Sequence, residues 1–359
     1  DVWGYAVAAP TAVPSTTPKI PSVEPTSVPS APSSVPSCVP SSDPSATPSS
    51  VPSVHPSAAR PEWTLSTSTA AWAARLYHAS VVHDDRMWVM GGGGSSSRTR
   101  DVWSSSDGGL SWTEVTPTAA WSARQLHASV VYDNRIWVMG GSADSGPVND
   151  VWSSSDGVAW AEATSAAAWS ARIHFACLVH DNRIWVMGGL GTSSAVNDVW
   201  SSSNGATWTL ATGAAPWSAR HALSGVVHDG RMWVMGGFDG TFRLNDVWSS
   251  SDGASWSLVT SAAAWSVRSA HSSVVYNDRM WVIGGGASPS SELNDVWSST
   301  DGAIWTETTP TAAWDARHGH TSVVLDNSMW VMGGTDGSSS LRDVWGYAVA
   351  APTAVPSTT

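Results

Sequence analysis

An all-β chain, a six-bladed β-propeller with a Pro/Ser/Thr-rich extended linker, is predicted by three observations. From Glu62 to Trp345 the sequence repeats itself six times at a spacing of 48 or 49 residues, which marks a propeller or solenoid. Each repeat holds four strand-like pieces and no helical period. Ahead of Glu62 the composition changes, and 14 of the 21 Pro lie there.

The linker covers residues 4–61, with Pro every three or four positions and Ser or Thr filling most gaps. Such a stretch has too little apolar surface to offset the entropy of ordering a core, and each Pro holds φ near the polyproline II value. At ~3.1 Å per residue it reaches about 180 Å, against a radius of gyration of roughly 19 Å for the repeat domain. Its composition is that of an O-glycosylated stalk. The expected acceptors are Ser22, Ser27, Ser30, Ser33, Ser34, Ser37, Ser41, Ser42, Ser49, Ser50 and Ser53. No Asn has a hydroxyl residue two positions on, so N-glycosylation is not expected.

Within each repeat the first strand is of the HASVV type and the second of the RMWVMGG type. Between them sit Asp, Asn or Gly pairs such as Asp84-Asp85, which tolerate the positive φ of a tight hairpin. The Gly pair ending the second strand (Gly91, Gly140, Gly188, Gly236, Gly284, Gly333) is expected where backbones approach too closely for a Cβ. A Ser/Gly-rich loop leads to the third strand, which carries the DVW triplet (Trp103, Trp152, Trp200, Trp248, Trp297, Trp345). The fourth begins at the Trp after the next turn: Trp112, Trp160, Trp208, Trp256 and Trp305. That set has five members for six DVW triplets. The sixth is Trp63 in EWTLST, ahead of the first repeat. Glu62 to Thr67 is therefore expected to pair with Asp343, Val344 and Trp345, completing the last sheet and covering its edge. A swapped alternative would pair EWTLST with Asp1-Val2-Trp3 and complete a preceding unit instead.

A hydrophobic strand ending in Gly-Gly, a loop, and a Trp in the next strand together resemble the kelch repeat family, over all of residues 62–345. The resemblance implies a β-propeller. The segment Asp101 to Trp112 is also similar to the Asp-box of sialidase-like propellers, with Ser105, Asp107, Gly109 and Trp112 at its spacing. Elsewhere Gly follows Asp directly, as in Asp156-Gly157, and Asn204 replaces one Asp. In those families the motif is structural and implies no active site.

The recurrent Trp are expected to pack the core. The AAW-type group (Trp72, Trp121, Trp169, Trp217, Trp265, Trp314) is expected to pack with the rest, but, lying in a connecting segment, it is the first candidate for an exception that stacks on sugar. The repeated Arg (Arg75, Arg124, Arg172, Arg220, Arg268, Arg317) and the DVW Asp are expected to form charge-assisted pairs tying blades together. His78, His127, His271 and His320 share one position, where Phe175 and Leu223 stand in the third and fourth repeats. That interruption favours hydrogen-bonded strand histidines over a metal site. Among kelch-type proteins, galactose oxidases build a copper site from a Tyr cross-linked to Cys, a second Tyr and two His. Here Tyr77, Tyr132 and Tyr276 fall at ordinary repeat positions, and nothing matches residue by residue. With no nucleophile elbow, phosphate loop or deviant His/Asp/Glu cluster visible, no catalytic residue, cofactor or metal is expected.

A net charge of −12 with Lys19 as the single Lys disfavours nucleic acid, which needs clustered cations. Cys38 and Cys177 allow at most one bridge. No charged leader before an apolar stretch and no run of about 18 apolar residues is visible, so no membrane span is expected. Asp1 to Thr17 recurs letter for letter as Asp343 to Thr359, an offset of 342 residues. The expected organisation is thus the end of a preceding unit (1–3), a linker (4–61), a propeller (62–345) and the start of the next linker (346–359). The expected function is a structural bead of an extracellular or cell-surface filament, stalk or coat, its partners being identical units of the same polymer. A multivalent carbohydrate-binding adhesin or lectin, with glycans as partner, is the alternative; a carbohydrate-active enzyme ranks last.

Overall fold

The computed structural model describes residues 62–94, 97–288 and 291–348. The linker with its named Ser, Cys38, Asp1-Val2-Trp3 and residues 349–359 lie outside the described residues. Among the described residues there is no helix, and so none long and apolar enough to cross a membrane.

The first repeat illustrates how the local sequence makes a sheet. In Ala79–His83 positions 79, 81 and 83 are buried and 80 and 82 half-buried, the period-2 pattern of a strand. Asp84 and Asp85 turn the chain at φ 47° and 52°. A two-residue I′ hairpin needs positive φ at both positions, and Asp and Asn tolerate it. The hairpin then closes Ala79 on Met90 and His83 on Arg86. Its Trp88 indole donates to the His83 carbonyl at 2.9 Å. Val102–Ser105 and Thr113–Thr116 follow in order, giving a four-stranded antiparallel meander. The repeats produce six such sheets, beside a small ribbon of Arg124–Gln125, Ser142–Ala143 and Gly146–Pro147.

The last sheet is assembled from both ends of the domain. Thr321–Leu325, Ser328–Thr335 and Ser340–Ala348 are joined by Glu62–Thr67 as the outer strand. Trp63 faces Tyr347, Leu65 faces Trp345 and Thr67 faces Val344. Asp343 stays outside this ladder and instead holds Arg317. The strand also runs past Trp345, where the sequence reading placed the domain boundary. The cause is Tyr347, which is buried against Trp63 (ring centroids 5.2 Å) and Trp281 (5.7 Å). Gly346 beneath it leaves room for the Trp330 ring, which an added Cβ would meet at 2.8 Å.

The core lies in the seams between successive sheets. One apolar cluster joins Val81, Met90 and Val102 of the first sheet to Ile136 and Val138 of the second. Another joins Val323, Met332 and Val344 of the last sheet to Met87, Val89 and Trp112 of the first. Each inner strand also packs on the next, and Thr321–Leu325 packs back on Ala79–His83, so the succession closes on itself. The AAW-type Trp are the largest buried side chains in these seams. Each removes ~200 Å² from water, worth roughly 5 kcal/mol gross.

Candidate functional site

Each repeated Arg sits on the segment leading into an inner strand, with its main chain bonded to the preceding sheet. Arg75 N donates to Leu341 O, and Arg124 N to Thr99 O. Its guanidinium crosses to the next sheet. Arg75 Nη1 and Nη2 donate to Asp101 Oδ1 and Oδ2 at 2.8 and 2.6 Å, and Nη1 also donates to the Gly91 carbonyl at 2.7 Å. Asp101 Oδ2 accepts from Trp103 Nε1 at 2.8 Å, so one carboxylate anchors both the Arg and the Trp of its triplet. Burial alone would raise the Asp101 carboxyl; the Arg75 hydrogen bonds more than offset it and hold it below the usual carboxylate range. All six pairs obey the repeat. They lock sheet to sheet, and these six guanidinium groups are not free for a ligand.

The AAW-type Trp are no sugar platform. Trp72 is 0% exposed, meets the Trp112 ring edge-on at 5.9 Å, and lies under the Arg75 guanidinium at 5.7 Å. The connecting segment that carries it is pinned into the seam by the buried Arg, which sequence position alone does not reveal.

The four repeated histidines are buried beside the axis. Thr321 Oγ1 bonds His78 Nε2 at 2.8 Å, Ser224 Oγ bonds His271 Nε2 at 2.7 Å, and Ser272 Oγ bonds His320 Nε2 at 2.8 Å. In each pair the hydroxyl belongs to the inner strand of the preceding sheet. Ala128 and Ala176 occupy that place where the partner is Phe175 or Leu223. His127 is the mismatch, since it faces Ala79. Neither of its ring nitrogens has a partner in hydrogen-bond geometry, although the Met90 main chain lies near. Burial first, then the adjacent Arg124, pushes His127 down to about 3. Among the described residues no group of three or more His, Cys, Asp or Glu is arranged to hold a metal ion.

Just ahead of the inner strands a belt of main-chain hydrogen bonds encircles the axis. Tyr77 N donates to Gly319 O, and the relay continues through Leu126, His174, Ala222, Ala270 and back to Gly319, each bond 2.8–3.0 Å. All six residues have φ between 53° and 63°. That conformation turns each N–H and C=O along the circumference, toward the neighbouring repeats.

Above the belt the repeat breaks. Tyr77, His174, His221, His318, Arg243 and Glu292 converge on one mouth. Tyr77 meets His174 edge-on at 4.7 Å, His174 stacks on His221 at 5.9 Å, and His221 meets Phe238 at 5.5 Å. His318 Nδ1 lies 3.4 Å from Glu292 Oε1. Arg243 lies over Phe238 at 5.7 Å and donates through Nε to Ser269 Oγ at 3.2 Å. Tyr77, His174, His221, Phe238, Arg243 and His318 line a cavity of about 230 Å³. A second, of about 210 Å³, continues inward past the buried histidines. Phe238, Arg243 and Glu292 are presented by lengthened hairpins, in which Arg231–Phe238 pairs with Arg243–Ser250 and Arg279–Ser288 with Ser291–Ser299, beyond the shorter strands of the first three sheets, whereas Tyr77, His174, His221 and His318 stand just after the repeated Arg. The signal was legible as the residues one and two places after each repeated Arg, which differ in every repeat.

Of the copper-oxidase tyrosines weighed above, Tyr132 and Tyr276 bond the Asn182 and Asn327 carbonyls at the far end of the inner strands. Only Tyr77 reaches the mouth. Compared with known families, the chain is matched by the kelch motif model at residues 74–117, 123–153, 219–249 and 316–347. No curated protein matches it.

Proposed function

The chain is a kelch-repeat protein, and from that premise we propose that residues 62–348 form a six-bladed, non-catalytic propeller bead. The bead recurs along an extracellular filament, stalk or surface coat, joined to its neighbours by O-glycosylated Pro/Ser/Thr-rich linkers. Kelch propellers are in general scaffolds rather than enzymes, and the sixfold Arg–Asp and Trp sets here are spent on packing.

One observation carries the reading: the segment DVWGYAVAAPTAVPSTT occurs twice. Its second copy begins inside the closing strand, whose Val344, Trp345, Gly346, Tyr347 and Ala348 pair with Leu65 and its neighbours. It then passes into linker composition. The duplicated stretch is therefore a bead-to-linker junction, and two junctions one period apart describe a tandem array. A ring whose last sheet is completed by its own first strand needs no neighbour to be stable.

Brief proteolysis of native material tests this. Cleavage is expected in the linker, releasing monodisperse beads close to residues 62–348, with glycan mass confined to linker peptides. Material that falls into single units on reduction, without proteolysis, would overturn the array.

A further inference from the structure

We infer that the mouth lined by Tyr77, His174, His221, Arg243 and His318, with Glu292 set against His318, binds a neutral sugar ring, a terminal hexose of a glycan. This goes beyond the bead reading, and neither depends on the other.

The inference rests on four features that coincide. First, the mouth is where the sixfold repeat fails, and the six residues come from five different repeats. A packing role could be met by the residues the other repeats carry. Second, the donor and acceptor set is mixed. Arg243 offers guanidinium N–H groups and makes no ion pair among the described residues, while the Glu292 carboxylate accepts, and Tyr77 and the imidazoles can do either. Vicinal hydroxyls, each both donor and acceptor, need such planar bidentate partners. Third, the Tyr77 and Phe238 rings both line the cavity and give it apolar surface, of the kind against which the C–H side of a pyranose packs. Fourth, at about 230 Å³ the cavity is smaller than the ~300–1,000 Å³ of sites for drug-sized ligands and suits one ring.

Charge selects a neutral ligand. Arg243 and Glu292 form no ion pair with each other, but their opposite charges both act on His318. Burial holds the imidazoles uncharged at neutral pH, with His174 down to about 3 and both His221 and His318 below their ordinary value. His318 is drawn back partway by Glu292 and down again by Arg243. With the two charges opposed, a charged sugar gains nothing over a neutral one. At the rim Phe242 is 67% exposed, held outward by a turn in which Asp239 Oδ1 accepts from Thr241 N and Phe242 N. It offers a second face for the sugar next to the terminal one. Repetition of the bead would multiply a weak single-site affinity.

The test uses the full 359-residue chain. Saturation-transfer NMR with galactose, glucose, mannose, fucose and N-acetylglucosamine, together with an array of neutral and acidic glycans, is compared with two variants that copy other repeats. Tyr77→Leu places there the residue of position 126, and Arg243→Ser that of position 340, so both backbones are already known to this fold. At least one neutral glycan is expected to bind, with affinity falling roughly tenfold or more in each variant while the melting temperature stays within a few degrees. No neutral glycan bound, equal binding by both variants, or binding confined to acidic glycans or to free amino acids would each overturn the inference.

Discussion

At the residue scale, the buried histidines set how the protein responds to acid. His78, His127, His174 and His271 are each held down to about 3, by burial first. A histidine with a depressed folded pKa takes its proton only in the unfolded chain. Its contribution to stability is therefore complete above pH ~6.5 and is lost as pH falls toward the folded value. Between pH 7 and pH 5 each such residue should cost about 2 kcal/mol. Thermal melts are expected to drop across that window, before the carboxylates protonate. His127→Phe, which copies Phe175, should make the drop shallower; an unchanged slope would mean that His127 is not buried neutral. The Ala79 mismatch yields a second expectation. Ala79→Ser would supply the hydroxyl that Ser224 supplies to His271, and should stabilise by about 1 kcal/mol. Denaturant midpoints would register it, and a lower midpoint would place the Ser Oγ out of reach of Nε2.

At the element scale, the strand Glu62–Thr67 carries a disproportionate load for its six residues. Trp63 is buried, meets Trp314 edge-on at 5.7 Å, and closes the seam that also holds Tyr276, Trp281 and Tyr347. Trp63→Ala should cost about 3–5 kcal/mol. Deleting Glu62 to Thr67 removes the same packing and also leaves the Ser340–Ala348 ladder as an open edge, which invites pairing with other chains. Light scattering separates the two expected effects: the point variant stays monodisperse and melts earlier, whereas the deletion associates. A monodisperse deletion variant with an unchanged melt would contradict the role assigned to this strand.

At the scale of the whole molecule, the belt through Tyr77, Leu126, His174, Ala222, Ala270 and Gly319 makes the sheets interdependent, because breaking any seam opens a closed circuit of hydrogen bonds. Cys177 reports on that circuit. Burial pushes its thiol well above the ordinary range, and its Sγ lies 3.5 Å from Met139 Sδ. Cys177 is half-buried and lines a cavity beside the inner strands, so in a Cys38→Ser chain its native labelling should be slow because little thiolate is present, and faster at alkaline pH. Labelling should accelerate further as denaturant unfolds the sheets; rapid labelling of the native protein at neutral pH would contradict the raised thiol.

How far the sequence by itself determined this protein follows from the range of the interactions involved. Strand identity, the Asp/Asn hairpins, the Gly pairs and the need for a sixth outer strand at Trp63 are all encoded within a few residues, and repetition presents each signal six times. The Arg–Asp pairs were legible for the same reason, recurring 26 or 27 residues apart in every repeat. The connecting segment was harder. Nothing local says that Trp72 turns inward, and only the Arg75 side chain reaching across to Asp101 and the Gly91 carbonyl draws it into the seam. The mouth was only partly legible, since the residues one and two places after each repeated Arg vary along the chain but nothing there says that they meet. Tyr77, His174, His221, Arg243, Glu292 and His318 are spread along most of the domain, each reading as a single departure from a repeat at an unremarkable position. What brings them within a few ångströms is the closing of the ring, which places equivalent positions of all the sheets around one axis and so turns scattered irregularities into one site.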